Sequence, residues 1–480
     1  MKRALIGREK EIETLELSFD SNRPELVAII GRRRVGKTFL VKQTYQDYID
    51  FELTGLQHAS KAEQIQNFIF AFRNFFPDYE IEQKPGSWLE VFFLLSSALK
   101  QKKKQEKLVV FLDELPWLAS KRSGFITALG WFWNSWATNQ HIVLVICGSA
   151  ASWMIEKVIN DRGGLHNRVT KRIFLGPFSL GETEAFMQSK HVHLSRYQIT
   201  QLYLAMGGIP MYLDQVKPGL SAVQNIQEIC FHKDGYLRRE FDRLFSSLFD
   251  NAENHLKIVR ALATKKIGLT RKEIIAIAGL KNGGTLTTTL NELNQSGFLE
   301  IYAGYGKKKQ MSLYRLTDPY SLFYLTFLEP LGANAKTDFT KLSDLQHYKS
   351  WSGYAFENIC LMHIDQIKKA LGISGIYTSV SSFVVKAQDN LAGAQIDLLI
   401  DRGDHSINLC EIKYSNKDYE VTKKDVDNIE NKKRVFQHHT KTTKHIFTTI
   451  ITTFGVVKNK HKLNQIDQVV TLDDLFVSLG

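Results

Sequence analysis

Two groups of residues in this sequence have the types and spacing for chemistry on phosphate. The first is the run Gly31, Arg32, Arg33, Arg34, Val35, Gly36, Lys37, Thr38 and Phe39, directly after the apolar stretch Leu26–Ile30. Two glycines let the backbone curl so that its N–H groups point inward, and a lysine and a hydroxyl follow where a helix would begin. In such a phosphate-binding loop Lys37 reaches the β and γ oxygens of ATP, and Thr38 offers its hydroxyl to Mg2+. The apolar run Leu108–Leu112 ends in Asp113 and Glu114. That pair supplies what the site still needs: Asp113 to hold the metal through water, and Glu114 as catalytic base or to position the attacking water. The second group, Asp397, Glu411 and Lys413, lies in the last third of the chain. Two acids and a lysine suit phosphodiester hydrolysis, with Asp397 and Glu411 binding one or two Mg2+ and Lys413 orienting or activating water.

These side chains need particular elements beneath them. A buried strand must end at Ile30 and a helix must start near Lys37. Leu108–Leu112 must be a strand buried on both faces, as in a parallel sheet. His141–Cys147 reads as another such strand, followed by Gly148 and Ser149; a polar residue there either senses the γ-phosphate or opens a plain strand-to-helix turn. Gly7, Arg8 and Glu9 open an amphipathic helix carrying Ile12, Leu15, Leu17 and Phe19, which can lie over the adenine. Arg168 would stabilise transition-state charge beside a γ-phosphate or be an ordinary surface arginine. Beyond a helical, charged stretch over residues 178–250, three short helices and a strand pair spaced by Lys307–Lys309 follow the order of a winged helix. Thr270 and Glu273 form a capping-box pattern for its second helix. Its third helix would present Lys281, Thr285 and Thr288 to a major groove, with Lys307–Lys309 meeting phosphate. The aromatic stretch Leu316–Phe327 reads as a helix after a proline start, its stripe core rather than ligand site, and as the hinge element between sensor and output. Near the end, Ile396–Ile400 and Ile407–Ile412 predict a hairpin turned at Arg402–His405, with Glu411 and Lys413 on one side because strand side chains alternate. Lys423, Lys424 and Lys432–Arg434 are either phosphate contacts or a solvated helix face.

Composition frames these motifs. At 480 residues the chain has room for roughly three domains. A net charge of +12 suggests a polyanion such as DNA as partner, or only a soluble surface. The charge is uneven, since residues 331–480 hold 19 Lys/Arg against 17 Asp/Glu. Cys147, Cys230, Cys360 and Cys410 are far apart and fit neither a zinc spacing nor a disulfide framework, so a reducing, cytoplasmic setting is expected. The start lacks an apolar signal core and no stretch approaches ~20 apolar residues, so no membrane partner is expected.

The sequence resembles the archaeal-type ATPases, a branch of the STAND group of AAA+-related NTPases. The resemblance rests on Gly7–Glu9, Gly31–Thr38, Leu112–Trp117, Cys147–Ser149, Asn167–Thr170 with Pro177–Leu180, and Gly207–Leu213. It implies nucleotide contact by Gly7 and Arg8, a nucleotide-state sensor at Arg168 and a closed-state contact at Pro210 in a helical lid. The usual pattern has glycine where Asn167 stands. The winged helix of this group binds DNA or serves protein interaction or autoinhibition. Residues 351–480 resemble the PD-(D/E)xK nuclease-like domain that follows such ATPases, in which an acid at the place of Glu357 completes the metal shell. The expected fold is therefore α/β: a P-loop NTPase parallel sheet (1–177), a helical lid (178–250), a winged helix (251–330), a linker (331–350) and a C-terminal restriction-endonuclease-like domain (351–480). The expected function is an ATP-controlled, Mg2+-dependent DNA nuclease in defence, mobile-element or repair biology, with ATP and DNA as partners and a possible homo-oligomer. The alternative is a non-cleaving STAND signal-transduction switch that binds DNA or protein.

Overall fold

The computed structural model describes residues 5–102, 107–120, 122–160, 162–249, 251–302, 304–306, 312–332, 338–387 and 393–479. The chain divides into two compact units. One comprises Met1–Pro177 with Ser246–Asp250 and Gly480, the other Phe178–Phe245 with Asn251–Leu479.

The first unit is built on a five-stranded sheet of β1 (Glu25–Ile30), β2 (Ile49–Thr54), β3 (Leu108–Asp113), β4 (Ile142–Gly148) and β5 (Lys171–Phe174). Its order is β2-β3-β4-β1-β5, and every pairing is parallel. Every residue of β1, β3 and β4 is buried, which is why these strands read as unbroken apolar runs rather than alternating ones. Register sets Ile30 beside Gly148, Leu112 beside Ile146 and Thr54 beside Asp113, so the carboxyl ends of the strands share one edge. The chain leaves β1 for the far edge at β2 and returns beyond β1 at β5. That reversal opens a crevice at the end of β1, where open α/β sheets bind ligands. Below it lies an aromatic core in which the Trp88 and Phe125 rings meet edge-on at 4.7 Å.

In the second unit the first helices are Leu180–Ser189, Arg196–Met206 and Ala222–Ile226, two of them closed by capping boxes at Ser179 and Ser221. The Gly207–Gly208 turn is required by space: a Cβ on Gly208 would lie 2.0 Å from the Phe178 carbonyl oxygen. Next come the helices Glu253–Ala263, Arg271–Ala278 and Gly284–Gln295 and a three-stranded antiparallel sheet of β6 (Leu269–Thr270), β7 (Leu299–Tyr302) and β8 (Leu313–Leu316), ordered β6-β8-β7. The Thr270–Glu273 capping box forms, and Lys281, Thr285 and Thr288 are exposed. Lys307–Lys309 lie outside the described residues.

The aromatic stretch after β8 is core, as its pattern suggested: Tyr320, Phe323 and Phe327 are buried. One expectation changes. Residues 331–350 were read as a linker, yet Phe339–Asp344 and the start of Gln346–Met362 are helical. The reason is aromatic, since Phe339 stacks on Phe231 and packs against Phe323 and Tyr348. The last sheet, ordered β13-β12-β11-β10-β9, contains β9 (Thr378–Val385), β10 (Ala394–Arg402), β11 (Ser406–Lys413), β12 (His445–Thr452) and β13 (Gln468–Thr471). Strands β9 to β11 run antiparallel, and β12 and β13 continue in parallel from β11. Helix Gln346–Met362 packs on β11 and helix Lys423–Thr440 on β10.

His363 joins the early helices of this unit to the late ones. It is fully buried; its Nδ1–H donates to the Ile359 carbonyl (2.8 Å) and its Nε2 accepts from the Leu180 N–H (3.0 Å). That pairing requires the neutral ring, and burial lowers its pKa to about 4. The unfolded chain takes up this proton near pH 6.5 and the folded chain does not, so stability is full above that pH. It is expected to fall as pH drops from about 6.5 toward 4, by about 1.4 kcal/mol per pH unit at most. Urea midpoints at pH 7 and pH 5 should show this slope in the wild type and its reduction in His363→Gln.

Candidate functional site

The nucleotide site is assembled where the sheet reverses. Gly31 leaves β1 so close to its neighbour that a Cβ would lie 2.2 Å from the Leu175 carbonyl oxygen, and Gly36 has φ +96°, a left-handed conformation suited to glycine. Helix Lys37–Tyr45 starts there. Lys37 is buried, with Nζ donating to the carbonyls of Gly31 (2.8 Å) and Arg32 (3.2 Å). Burial pulls its pKa down, while Glu114, Cys147 and Asp113 support its charge. Thr38 Oγ1 donates to Asp113 Oδ2 at 2.6 Å. Two hard oxygen donors thus meet beside the lysine, and they fit Mg2+. When bound, the ion would neutralise charge on the β and γ oxygens.

Glu114 occupies left-handed space at φ 48° and ψ 53°, a strained setting for a side chain with a Cβ. Its Oε2 accepts from the Ser149 N–H (3.1 Å) and hydroxyl (2.7 Å). The ends of β3 and β4 are therefore tied through the two residues expected to handle water and the γ-phosphate. Arg8 is buried and binds backbone: Nη2 donates to the Gly176 carbonyl (2.7 Å) and more weakly to that of Val35 (3.5 Å). It holds the loop to the end of β5. Gly7 and Arg8 both have positive φ. Arg33 lies 5.6 Å from the Trp117 ring, Arg34 has φ 72°, and Phe39 is exposed on its helix.

One expected residue does not join this cluster. Arg168 is exposed and sits just before Thr170, whose N–H bonds the Leu26 carbonyl near the start of β1. The loop leaves the opposite end of that strand, about 16 Å away at ~3.3 Å per residue, farther than an arginine side chain reaches. Asn167, standing for the usual glycine, has φ 53°, a conformation asparagine tolerates. Pro210 opens the short helix Pro210–Leu213 in the second unit.

That second unit holds a cluster of acids and cations. Continuing the register Leu398–Cys410 by one residue sets Asp397 directly opposite Glu411 on β10 and β11, so their side chains share a face. Glu411 is buried and accepts from two ammonium groups, Lys413 Nζ on Oε1 (3.0 Å) and Lys432 Nζ on Oε2 (2.7 Å). Burial works against charge on Lys413, but Glu411 overrides it and its pKa is raised. Burial and then the Glu411 charge raise the pKa of Asp397, whose Oδ1 accepts from Gln395 at 2.9 Å. Glu357, on helix Gln346–Met362, pairs with Arg315 of β8 at 3.0 Å. Burial and the Asp397 charge push Glu357 up to about 7 against the pull of Arg315. A cavity of about 330 Å³ opens beside Glu357 and Asp397, lined also by Lys266, Tyr302, Arg315 and Ser381. Among the described residues, no three His, Cys, Asp or Glu side chains are gathered closely enough to hold a metal ion. Asp397 and Glu411 are donors of the kind Mg2+ takes, but an ion there would share Glu411 with Lys413 and Lys432.

Sequence reasoning missed Lys432 and Arg315 as parts of this cluster. In sequence Lys432 reads as a phosphate contact or as part of a solvated helix face. Its signal was its place in the apolar stripe Ile429, Val435 and Phe436, all buried with it. Arg315 carried no comparable signal, because its strand lies in a different sheet from Asp397.

Comparison with known proteins bears on the first site. Residues 5–216 match the family model of an ATPase domain predominantly from Archaea. Over this segment the chain is similar to archaeal-type ATPase domains. The chain is 24% identical to an uncharacterised protein of Methanocaldococcus jannaschii over 87% of its own length and 89% of that protein. A shorter stretch, 8% of the chain and 64% of the relative, is 45% identical to an uncharacterised ATP-binding protein of the same organism. Similar solved structures include a Walker-type ATPase of Pyrococcus abyssi, with 18% identity, 67% of this chain and 96% of that one covered, and TM-score 0.45. The ORC2 protein of Aeropyrum pernix in its ADPNP–ADP complexes covers 67% and 93% at 15% identity, with TM-score 0.44. Among the described residues no helix is long and apolar enough to cross a membrane.

The geometry separates two roles in the ATPase domain. Lys37→Ala should lose ATP binding in a calorimetric titration. Glu114→Gln should bind ATP within about threefold of wild type while turnover drops by about 10²-fold or more, as expected for loss of a base.

Proposed function

We propose that the chain is an ATP-controlled protein whose second unit carries a Mg2+-dependent DNA-cleaving site. The observation that carries this reading is Asp397 facing Glu411 across β10 and β11, with Lys413 bound to Glu411 and Glu357 lining one cavity with Asp397. Phosphodiester hydrolysis needs such a set: carboxylates for the metal, and a cation to position water and offset developing charge. In this reading residues 351–480 are a PD-(D/E)xK nuclease-like domain. Residues 251–330 are a winged helix, supported by the element order and the exposed Lys281, Thr285 and Thr288. The STAND-type ATPase core supplies the switch, with Mg2+ on Thr38 and Asp113. Arg168, on the sheet edge away from its own loop, takes its place as a charge sensor only on the nucleotide of a neighbouring copy in a homo-oligomer.

A second reading has its own support. Both oxygens of Glu411 are held by lysines, and a non-cleaving switch that binds DNA or protein would need no more than that.

Incubation of purified protein with linear, supercoiled and single-stranded DNA in Mg2+ decides between them. Cutting should occur, and Asp397→Ala and Lys413→Ala should each reduce it by at least about 10²-fold with the circular dichroism spectrum unchanged. Absence of cutting on every DNA form would favour the switch.

A further inference from the structure

Glu411 gives one carboxylate oxygen to each of two lysines, and the two lysines are held differently. Lys413, on the same strand, reaches Oε1 at 3.0 Å with its side chain 29% exposed. Lys432 reaches Oε2 at 2.7 Å with its side chain 10% exposed. It does so from the stripe of helix Lys423–Thr440 that also buries Ile429, Val435 and Phe436. A lysine stem normally carries its ammonium out to water, but here the stem lies in an apolar stripe and the ammonium ends on an acid. Burial and the Glu411 charge raise the pKa of Asp397, and the Lys432 charge opposes them, so one ammonium supports both acids. A pair buried in this way is weak evidence for stability, because taking two charges out of water offsets much of their attraction. The oxygens it occupies are of the kind a hard divalent cation takes.

We infer that Lys432 is a fixed internal cation that competes with a divalent metal for Glu411 and so sets the metal affinity of the Asp397 and Glu411 pair. The geometry separates it from Lys413. Lys413 is partly exposed and can turn toward water, giving up Oε1 to a metal at little cost. Lys432 has no such exit, because its stem is packed with the apolar stripe of its helix. A metal therefore gains Oε2 only against an ammonium that stays beside it, and like charges repel strongly where water is excluded. Lys432 acts through Glu411 and is a positioning residue, not a catalytic one. The use of the metal rests on the nuclease reading, whereas the contest for Glu411 is a property of these residues alone.

The test is metal binding in the absence of DNA. Mn2+ is titrated into full-length protein and the free ion followed by electron paramagnetic resonance, in an Asp113→Asn parent that disables the other metal position. Lys432→Met should bind Mn2+ at least about tenfold more tightly than this parent, because a buried charge close to the ion acts through a low dielectric. Lys432→Arg keeps the charge and should bind no more tightly than the parent. Lys413→Met takes the same charge from the same carboxylate, yet should change affinity by less than about threefold, since an exposed charge is screened. Lys432→Gln replaces Lys432→Met in the comparison where the latter loses its folded circular dichroism spectrum. Unchanged affinity on removing the Lys432 charge, or an equal gain in Lys432→Arg or Lys413→Met, overturns the inference. Unfolding of Lys432→Met and Lys432→Gln alike also overturns it, because Lys432 would then be a structural counter-ion. If removing the Lys432 charge brings no gain while wild type cuts DNA and Asp397→Ala does not, the role of Lys432 fails and the nuclease reading stands. If affinity rises but no DNA is cut, the reverse holds.

Discussion

Two carboxylates face each other across neighbouring strands at Asp397 and Glu411, and three cations of the second unit surround them. Like charges directly opposite on a sheet repel, and burial raises the penalty because charge is poorly solvated inside a protein. The chain answers with cations from several elements: Lys413 from the same strand as Glu411, Lys432 from the packed helix, and Arg315 from a different sheet through Glu357. Removing one partner of such a buried pair typically costs about 3–5 kcal/mol, whereas apolar replacement of the whole set is often neutral. Stability alone therefore does not call for this cluster.

The first unit solves a related problem by topology rather than by counter-ions. The carboxyl ends of β1, β3 and β4 share one edge, so a loop, an acid and a polar strand end converge without any special contact between their sequences. The close approach at Gly31 and the left-handed Gly36 let the loop turn, and Arg8 fixes it to Gly176. Thr38 and Asp113 then meet as a consequence of sheet order. The domain's similarity to archaeal-type ATPases over residues 5–216 agrees with this geometry.

The two sites were legible in the sequence to different depths. Fully buried parallel strands write themselves as apolar runs, so β1, β3 and β4 and the residues at their ends could be placed from pattern alone. The hairpin at Arg402–His405 was equally plain, because its strands flank a polar turn. What the pattern hid was long-range. Arg315 reaches Glu357 across 42 positions, and no periodicity announces such a pair. Lys432 was concealed by its type, since lysine on a charged helix normally faces water. Residues 331–350 were misread because short polar stretches outweigh a few aromatic residues in sequence, whereas Phe339 and Tyr348 decide the packing. Arg168 was placed near the nucleotide by family likeness, and the parallel pairing of β5 with β1 puts it at the other edge.

The central proposal is that nucleotide at Gly31–Thr38 governs chemistry at Asp397 and Glu411. Its most direct test is the initial rate of Mg2+-dependent DNA cleavage measured across ATP concentrations, for wild type and Lys37→Ala in parallel. The account predicts a rate that changes with ATP in the wild type and is indifferent to it in Lys37→Ala. A wild-type rate that ignores ATP, or a Lys37→Ala rate that tracks it as the wild type does, would contradict the account.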